Sequence, residues 1–263
     1  MIRPLRRGVW AITLLGCGLL APLTTAGCAS GGGTARSQTA AAAPATAGQA
    51  TSAVDAASAT TAAAGSAAAY RVTIRQDSGR IRAGADYTAT IPVLSGPDPV
   101  VVRRVNTAID EYVRQEKGLT ENETLHLTAG AAHIGARVVA LSFGGDRYPP
   151  GAAHPAELAA GLVFDLRTGD RVHIEDVFTS TGAGLRRLES IVRAELDRRF
   201  PGGPTGGVTD PLPANYQQFV VNPRGLVVIV ADLPYVLGPQ SVLAPWNRLG
   251  DLVRPDLAAV LRS

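Results

Sequence analysis

Short runs in which apolar and polar residues alternate recur along the chain, and this two-residue period predicts β-strands with one buried face. The first two runs are residues 70–74 and 87–91. Further strand-like runs cover residues 124–129, 138–143, 162–166, 171–174, 219–221, 226–231 and 242–243. The runs at 162–174 and at 219–231 each enclose a short turn that contains glycine, so each pair predicts a β-hairpin.

Two longer segments have apolar residues three and four positions apart, which is the pattern of a helix with one buried face. The first predicted helix begins after Asp98, a residue suited to capping a helix and followed here by proline, and ends near residue 118. The second covers residues 184–200, and residues 246–261 predict one or two short helices interrupted at Pro255. Because the strands come mostly as hairpins, the sequence predicts an α+β domain, with an antiparallel sheet and two amphipathic helices packed on it.

The N-terminal residues 1–28 have the three parts of an export signal. Three arginines lie before residue 8, an apolar stretch covers residues 9–23, and small residues precede Cys28. The apolar stretch is shorter than the roughly 20 residues that a permanent membrane-spanning helix needs. The segment resembles a bacterial lipoprotein signal, which implies that Cys28 is lipidated and anchors an extracytoplasmic protein to the membrane. Ordinary signal cleavage near this position and an uncleaved anchor are the alternatives.

Residues 29–69 consist mainly of Ala, Thr, Ser and Gly, with a few prolines. Such a segment has almost no large apolar side chains to bury, and burial is what offsets the entropy that a chain loses on folding. We therefore expect a disordered tether that joins the anchor to a single folded domain at residues 70–263.

The charge and the cysteines of the exported protein limit its partners and its chemistry. The full chain has 25 Lys and Arg residues against 22 Asp and Glu residues. Removal of the export signal takes away three arginines and no acidic residue, which leaves a neutral protein, so a nucleic acid is not an expected partner. Cys17 lies in the apolar stretch and Cys28 is the other cysteine. The folded domain therefore has no thiol for a disulfide, a metal site or thiolate catalysis.

Motifs that would indicate an enzyme are scarce. The sequence has no Gly-x-Ser-x-Gly motif, no phosphate-binding loop and no dinucleotide-binding fingerprint. Its four histidines lack the spacing that places two imidazoles on one strand face or one helix turn, so we predict neither a metal site nor a cofactor. Ser142, Ser190 and Ser241 are isolated, which leaves open only a catalytic triad assembled from distant parts of the chain.

Residues 144–155 are rich in Gly and Pro and also carry Asp146, Arg147, Tyr148 and His154. A loop of this composition at a sheet edge is a candidate recognition element, because binding residues are concentrated on loops held by a rigid scaffold. The alternative is that the glycines only form the turn and that His154 hydrogen-bonds to the backbone beneath it.

Several motifs follow one another through the second half of the chain. They are Gly-Ala-Ala-His-Pro (151–155), Phe-Asp-Leu-Arg-Thr-Gly-Asp (164–170), Ile-Glu-Asp-Val-Phe (174–178), Gly-Leu-Val-Val (225–228), Leu-Pro-Tyr (233–235) and Gly238. In this order, with an amphipathic helix between the third and the fourth, they resemble the RsiV-like domain family, which includes lysozyme-sensing domains outside the cell membrane. The resemblance covers residues 124–253, and residues 70–123 are similar to the more variable N-terminal part of that family.

The resemblance implies a non-catalytic recognition domain that binds a lysozyme-like protein or a cell-wall glycan such as peptidoglycan. The residues expected to make the contact are Tyr148, Gly151, His154 and Tyr235. The alternative function is a cell-wall-associated hydrolase or esterase, in which His154 acts as the general base for an unidentified serine.

Overall fold

A computed structural model describes residues 69–81, 85–119, 122–203 and 207–263. The predicted export signal, Cys28 and residues 29–68 of the predicted tether lie outside these residues, so those predictions stay predictions. None of the helices within the described ranges is both long enough and apolar enough to cross a membrane.

Strands dominate the first half of the described chain, and the second half mixes strands with helices. The strands are β1 (Arg71–Arg80), β2 (Asp86–Ser95), β3 (Thr124–Ile134), β4 (Val138–Tyr148), β5 (Ala156–Asp165), β6 (Phe219–Asn222), β7 (Gly225–Val230) and β8 (Gln240–Pro245). The helices are α1 (Pro99–Leu119), α2 (Ile174–Val177), α3 (Thr181–Arg199), α4 (Trp246–Leu249) and α5 (Pro255–Leu261). Short 3₁₀ turns lie at Pro213–Tyr216, Tyr235–Leu237 and Gly250–Leu252.

The strands form a five-stranded sheet in the order β1-β2-β3-β4-β5 and a three-stranded sheet in the order β6-β7-β8. The predicted α+β class is confirmed. The larger sheet is mixed rather than purely antiparallel, because β2 and β3 run parallel, with Tyr87 paired to Leu125. Helix α1 connects these two strands, and a crossover of this length allows neighbouring strands to run in the same direction.

Helix α1 begins where the sequence predicts. One carboxylate oxygen of Asp98 accepts hydrogen bonds from the backbone N–H groups of Val100 (2.8 Å) and Val101 (3.3 Å). These bonds satisfy N–H groups that have no partner within the helix, and so they cap its N-terminus. The buried face of the helix, which packs on β2, β4 and β5, carries Val101, Val105, Ile109 and Val113.

Strands β4 and β5 lie between two hydrophobic cores, because successive side chains of a strand point to opposite faces. The core on the side of α1 contains Val139, Leu141, Leu162 and Phe164. The core on the opposite side contains Val138, Ala140 and Val163 together with residues of α3 and of the three-stranded sheet. The described domain is therefore layered: α1, then the five-stranded sheet, then the smaller sheet with α3.

One of the two predicted hairpins forms in full. Strands β6 and β7 pair antiparallel, and the side-chain oxygen of Asn222 accepts hydrogen bonds from two N–H groups of the turn, at 2.9 and 3.2 Å. In the hairpin predicted at 162–174, the second strand is shorter than the sequence predicts. That side is reduced to a single bridge between Phe164 and Arg171, because helix α2 begins three residues later.

The predicted loop at residues 144–155 is wrong in its first part, where β4 continues as far as Tyr148. Residues 144–147 pair with β3 on one side and with β5 on the other, so their backbone groups are satisfied as in the interior of a sheet. Only residues 149–155 form the connecting turn. The sheet thus carries this turn at one end of a rigid pair of strands.

Candidate recognition site

A cleft of about 360 Å³ lies between the turn that follows β4 and the segment that follows β7. Its lining includes His154, Glu157, Asp232, Leu233, Tyr235 and Gly238. The turn supplies His154, the beginning of β5 supplies Glu157, and the 3₁₀ turn at Tyr235–Leu237 supplies the tyrosine. Two of the four residues expected from the resemblance, His154 and Tyr235, therefore line one cleft.

The rings of His154 and Tyr235 are stacked, with their centroids 3.4 Å apart and their planes 13° from parallel. Nδ1 of His154 lies 3.2 Å from the carbonyl oxygen of Pro155. Because a carbonyl oxygen only accepts, Nδ1 is the donor in this contact. The backbone contact foreseen as an alternative role for His154 is therefore present together with the stack.

Tyr148, the last residue of β4, and Gly151, in the turn that follows, do not line the cleft. The Tyr148 hydroxyl donates to the carbonyl oxygen of Ala152 (2.9 Å), and the Ala152 N–H donates to the carbonyl oxygen of Pro149 (3.1 Å). These two bonds close the turn just before His154. Tyr148 thus stabilises the turn through its hydroxyl, and the residue remains 41% exposed.

Gly238 brings the segment after β7 against the start of β5. Its φ of +58° and ψ of −179° belong to a region that residues with a Cβ rarely adopt. A Cβ at this position would lie 2.7 Å from Oε2 of Glu157. The glycine therefore allows the backbone to pass next to the Glu157 carboxylate, and this close approach shapes one wall of the cleft.

The cleft is acidic and partly aromatic. Glu157 and Asp232 are exposed carboxylate residues, and none of the described residues that line the cleft is Lys or Arg. Within the described ranges, no three His, Cys, Asp or Glu residues are grouped so that they could hold a metal ion. The sequence singled out neither carboxylate as a binding residue, since an acidic residue beside a turn is ordinary on a protein surface.

The hydrolase alternative requires a serine hydroxyl next to His154. None of the described residues that line the cleft is Ser, Thr or Cys. Ser142 lies on β4, where its hydroxyl donates to the carbonyl oxygen of Ala131 (3.0 Å). The described cleft therefore offers apolar, aromatic and charged contacts to a ligand, but its lining supplies no serine, threonine or cysteine side chain as the nucleophile that the alternative requires.

The fold is similar to that of two proteins described as members of the DUF3298 family. The crystal structure of one, from Bacteroides fragilis, has a TM-score of 0.53 at 13% identity, and the match covers 75% of this chain and 98% of that chain. The crystal structure of the other, from Pseudomonas aeruginosa PAO1, has a TM-score of 0.50 at 14% identity, and the match covers 72% of this chain and 96% of that chain. No family model matches the sequence, and no curated protein matches it.

At these identities the likeness concerns the fold alone. The chain has the α+β fold of DUF3298 proteins, a family related to the RsiV-like domains that the sequence motifs resemble. The comparison therefore agrees with that resemblance at the level of the fold, and the ligand has to be argued from the cleft.

Proposed function

We propose that this chain is a lipid-anchored, extracytoplasmic recognition protein that binds a basic, lysozyme-like protein through the cleft at His154 and Tyr235. The observation that carries the proposal is the stacked His154–Tyr235 pair beside two exposed carboxylates. The motif resemblance supplies the class of ligand, and the composition of the cleft favours it.

The apolar part of the proposed contact surface is formed by Tyr235 and its neighbour. Tyr235 is 51% exposed although one face of its ring is covered by His154, and the following Val236 is 82% exposed. Stacking on His154 holds the tyrosine ring in one orientation before any partner arrives. Rigid aromatic side chains of this kind are favoured as anchors in protein interfaces, because little side-chain entropy is lost when they bind.

The charged part of the cleft favours a basic protein over peptidoglycan. Glu157 and Asp232 attract Lys and Arg side chains of a partner. The same carboxylates repel the carboxylate groups of peptidoglycan stem peptides, and no cation among the described lining residues offsets that repulsion. Binding of a glycan is therefore the alternative that the experiment has to distinguish from binding of a basic protein.

The location outside the cell rests on the sequence of the N-terminus. The arginines, the apolar stretch and the small residues before Cys28 form the pattern of a lipoprotein signal. A thioether with two acyl chains holds a protein stably at a membrane, since each buried CH₂ contributes about 0.8 kcal/mol. The tether would then hold the recognition domain away from the membrane surface.

The proposal is tested by titrating the full-length chain, in non-ionic detergent, with a lysozyme and separately with soluble peptidoglycan fragments. We expect saturable binding of the lysozyme, weakened on the order of tenfold or more by Tyr235→Ala and by His154→Ala. Ile74→Ala is the matched control, because Ile74 is an exposed large apolar residue on β1 and lies outside the cleft lining. If only the peptidoglycan fragments bind, the ligand is a cell-wall glycan and not a lysozyme-like protein. If neither binds, the proposal is refuted.

A further inference from the structure

A second concave surface lies between helix α1 and the turn at residues 165–171. Its volume is about 430 Å³, and its lining includes Arg103, Arg104, Thr107, Glu111, Asp170 and Arg171. We refer to these residues as the arginine pocket. It shares no lining residue with the recognition cleft.

The acidic residues of the arginine pocket already have cationic partners. Asp170 pairs with Arg104 (3.2 Å), and the same guanidinium donates to the carbonyl oxygen of Thr168 (2.9 Å). Glu111 pairs with Arg114, the next basic residue along α1, at 2.6 Å. The three arginines that line the pocket therefore carry more positive charge than its two carboxylates neutralise.

Within the arginine pocket, Arg171 is the residue most clearly available to bind an anion. Its guanidinium makes no hydrogen bond or ion pair with any residue that the structure describes. Burial lowers the pKa of this guanidinium, because part of its hydration shell is removed. It nevertheless remains charged at neutral pH. Arg171 is only half-buried and lines the open pocket, so its side chain is within reach of a ligand in the pocket.

The turn that carries Arg171 is fixed against α1 by close packing. Gly169 has a φ of +77°, and a Cβ there would lie 2.9 Å from Cβ of Arg104 and 3.1 Å from Cα of Val101. The backbone of Arg171 is held by its bridge to Phe164. The arginines of the helix and of the turn are therefore held side by side by the fold, rather than brought together by chance on a mobile surface.

We propose that the arginine pocket binds a phosphate group, as the free anion or as a phosphate ester. Guanidinium groups offer paired N–H donors whose spacing fits two oxygens of one phosphate, and the Thr107 hydroxyl adds a further donor. A tetrahedral phosphate has enough acceptor oxygens to contact Arg103 and Arg171 from the two sides of the pocket. The phosphate can belong to a soluble ester or wall polymer, or to a lipid headgroup at the membrane.

The test follows the arginine side-chain N–H signals of the full-length chain by NMR, in non-ionic detergent, while inorganic phosphate, glycerol phosphate or acetate is added. We expect saturable shifts with both phosphates and a weaker effect of acetate. Arg171→Ala and Arg103→Ala should each weaken phosphate binding on the order of tenfold. Arg103 is exposed on α1, so its variant keeps the test valid if the half-buried Arg171 proves necessary for folding.

The matched control is Arg80→Ala, because Arg80 is an exposed arginine on β1 that pairs with Asp86 outside the pocket. The source of the phosphate is decided by repeating the titration in micelles that contain phosphatidylglycerol or, for comparison, phosphatidylcholine. If free phosphate binds more weakly in phosphatidylglycerol micelles than in phosphatidylcholine micelles, the lipid headgroup is the ligand. If it binds equally in both, the ligand is a soluble or wall phosphate. Equal shifts with acetate, or shifts that survive both substitutions, would overturn the proposal.

Discussion

The imidazole of His154 lies against the ring of Tyr235, with a centroid separation of 3.4 Å and an angle of 13° between the rings. A ring held in this position shifts the NMR signals of the imidazole protons to lower frequency. Tyr235→Ala should return the His154 signals to the positions seen in unfolded peptides, whereas Tyr235→Phe should keep them shifted. Identical His154 signals in the wild type and the alanine variant would show that the stack does not exist in solution.

The acidic residues of the cleft are expected to control both the strength and the salt dependence of lysozyme binding. Glu157→Gln and Asp232→Asn each remove one negative charge from the lining with little change in side-chain shape. We expect each to weaken binding by about two- to fivefold at low salt, with a smaller effect at high salt, since exposed charges are screened. Asp86→Asn, at an exposed carboxylate at the start of β2, is the control that should leave binding unchanged. A salt-independent affinity would contradict this electrostatic contribution.

Gly238 and Gly151 both have a positive φ, but only Gly238 has a neighbour where a side chain would start. Gly238→Ala combines backbone strain with a contact at 2.7 Å to the Glu157 carboxylate, so it should lower the free energy of unfolding by about 1–3 kcal/mol. Gly151→Ala has only the strain of a φ of +80° and should cost about 1 kcal/mol. Urea unfolding of the two variants tests this order. Equal losses would mean that Glu157 moves aside freely.

Asp165 links the stability of the domain to pH. Burial raises the pKa of its carboxyl, but hydrogen bonds from Arg167, including one at 2.8 Å, outweigh burial and hold the pKa below its usual value. A depressed pKa in the folded state means that the stabilisation is present above the unfolded value of 3.8 and is lost as the pH falls below it. Asp165→Asn should therefore cost about 1–2 kcal/mol at neutral pH.

The check on Asp165 is denaturant unfolding of the wild type and of Asp165→Asn from pH 7 down to pH 3. The difference in the free energy of unfolding should narrow as the pH falls below about 4. Asp86→Asn at the exposed Arg80–Asp86 pair serves again as the control and should change stability little at any pH. A gap that stays constant with pH would assign the loss to packing rather than to the charge of Asp165.

The sequence predicts well those features of the fold that depend on residues close together in the chain. The start of α1 follows from the Asp98 cap and the proline after it, and the β6–β7 hairpin follows from the turn at Asn222. The parallel pairing of β2 with β3 and the continuation of β4 to Tyr148 depend on which strands lie next to each other. Apolar periodicity carries no information on that choice, so these features were not predicted.

The candidate site is predicted in part, from the composition of residues 144–155 and from the family resemblance. His154 and Tyr235 were expected as binding residues and meet in the cleft, whereas Tyr148 braces the neighbouring turn. Glu157 and Asp232 could not be identified, because no spacing or composition distinguishes them from other surface acids. Their role arises only when the fold places both beside the aromatic pair.

The proposed anchor is checked by mass spectrometry of the chain purified from membranes of a bacterium that makes lipoproteins. The mature wild-type protein should begin at Cys28 and carry the added mass of a diacylglyceryl group, because the residue is proposed to be the lipid attachment site. Cys28→Ser should abolish the lipid, whereas Cys17→Ser should leave it in place and so serves as the control. A lipidated Cys28→Ser protein would disprove this attachment site.

The proposed function requires that the cleft between the β4–β5 turn and the segment after β7 contacts the partner protein. Hydrogen exchange of the full-length chain, measured with and without lysozyme, tests it most directly, because it reports which backbone N–H groups a partner covers. We expect added protection at residues 152–157 and 231–239, and no change on the exposed strand β1. Protection confined to other surfaces, or no protection at saturating lysozyme, would contradict it.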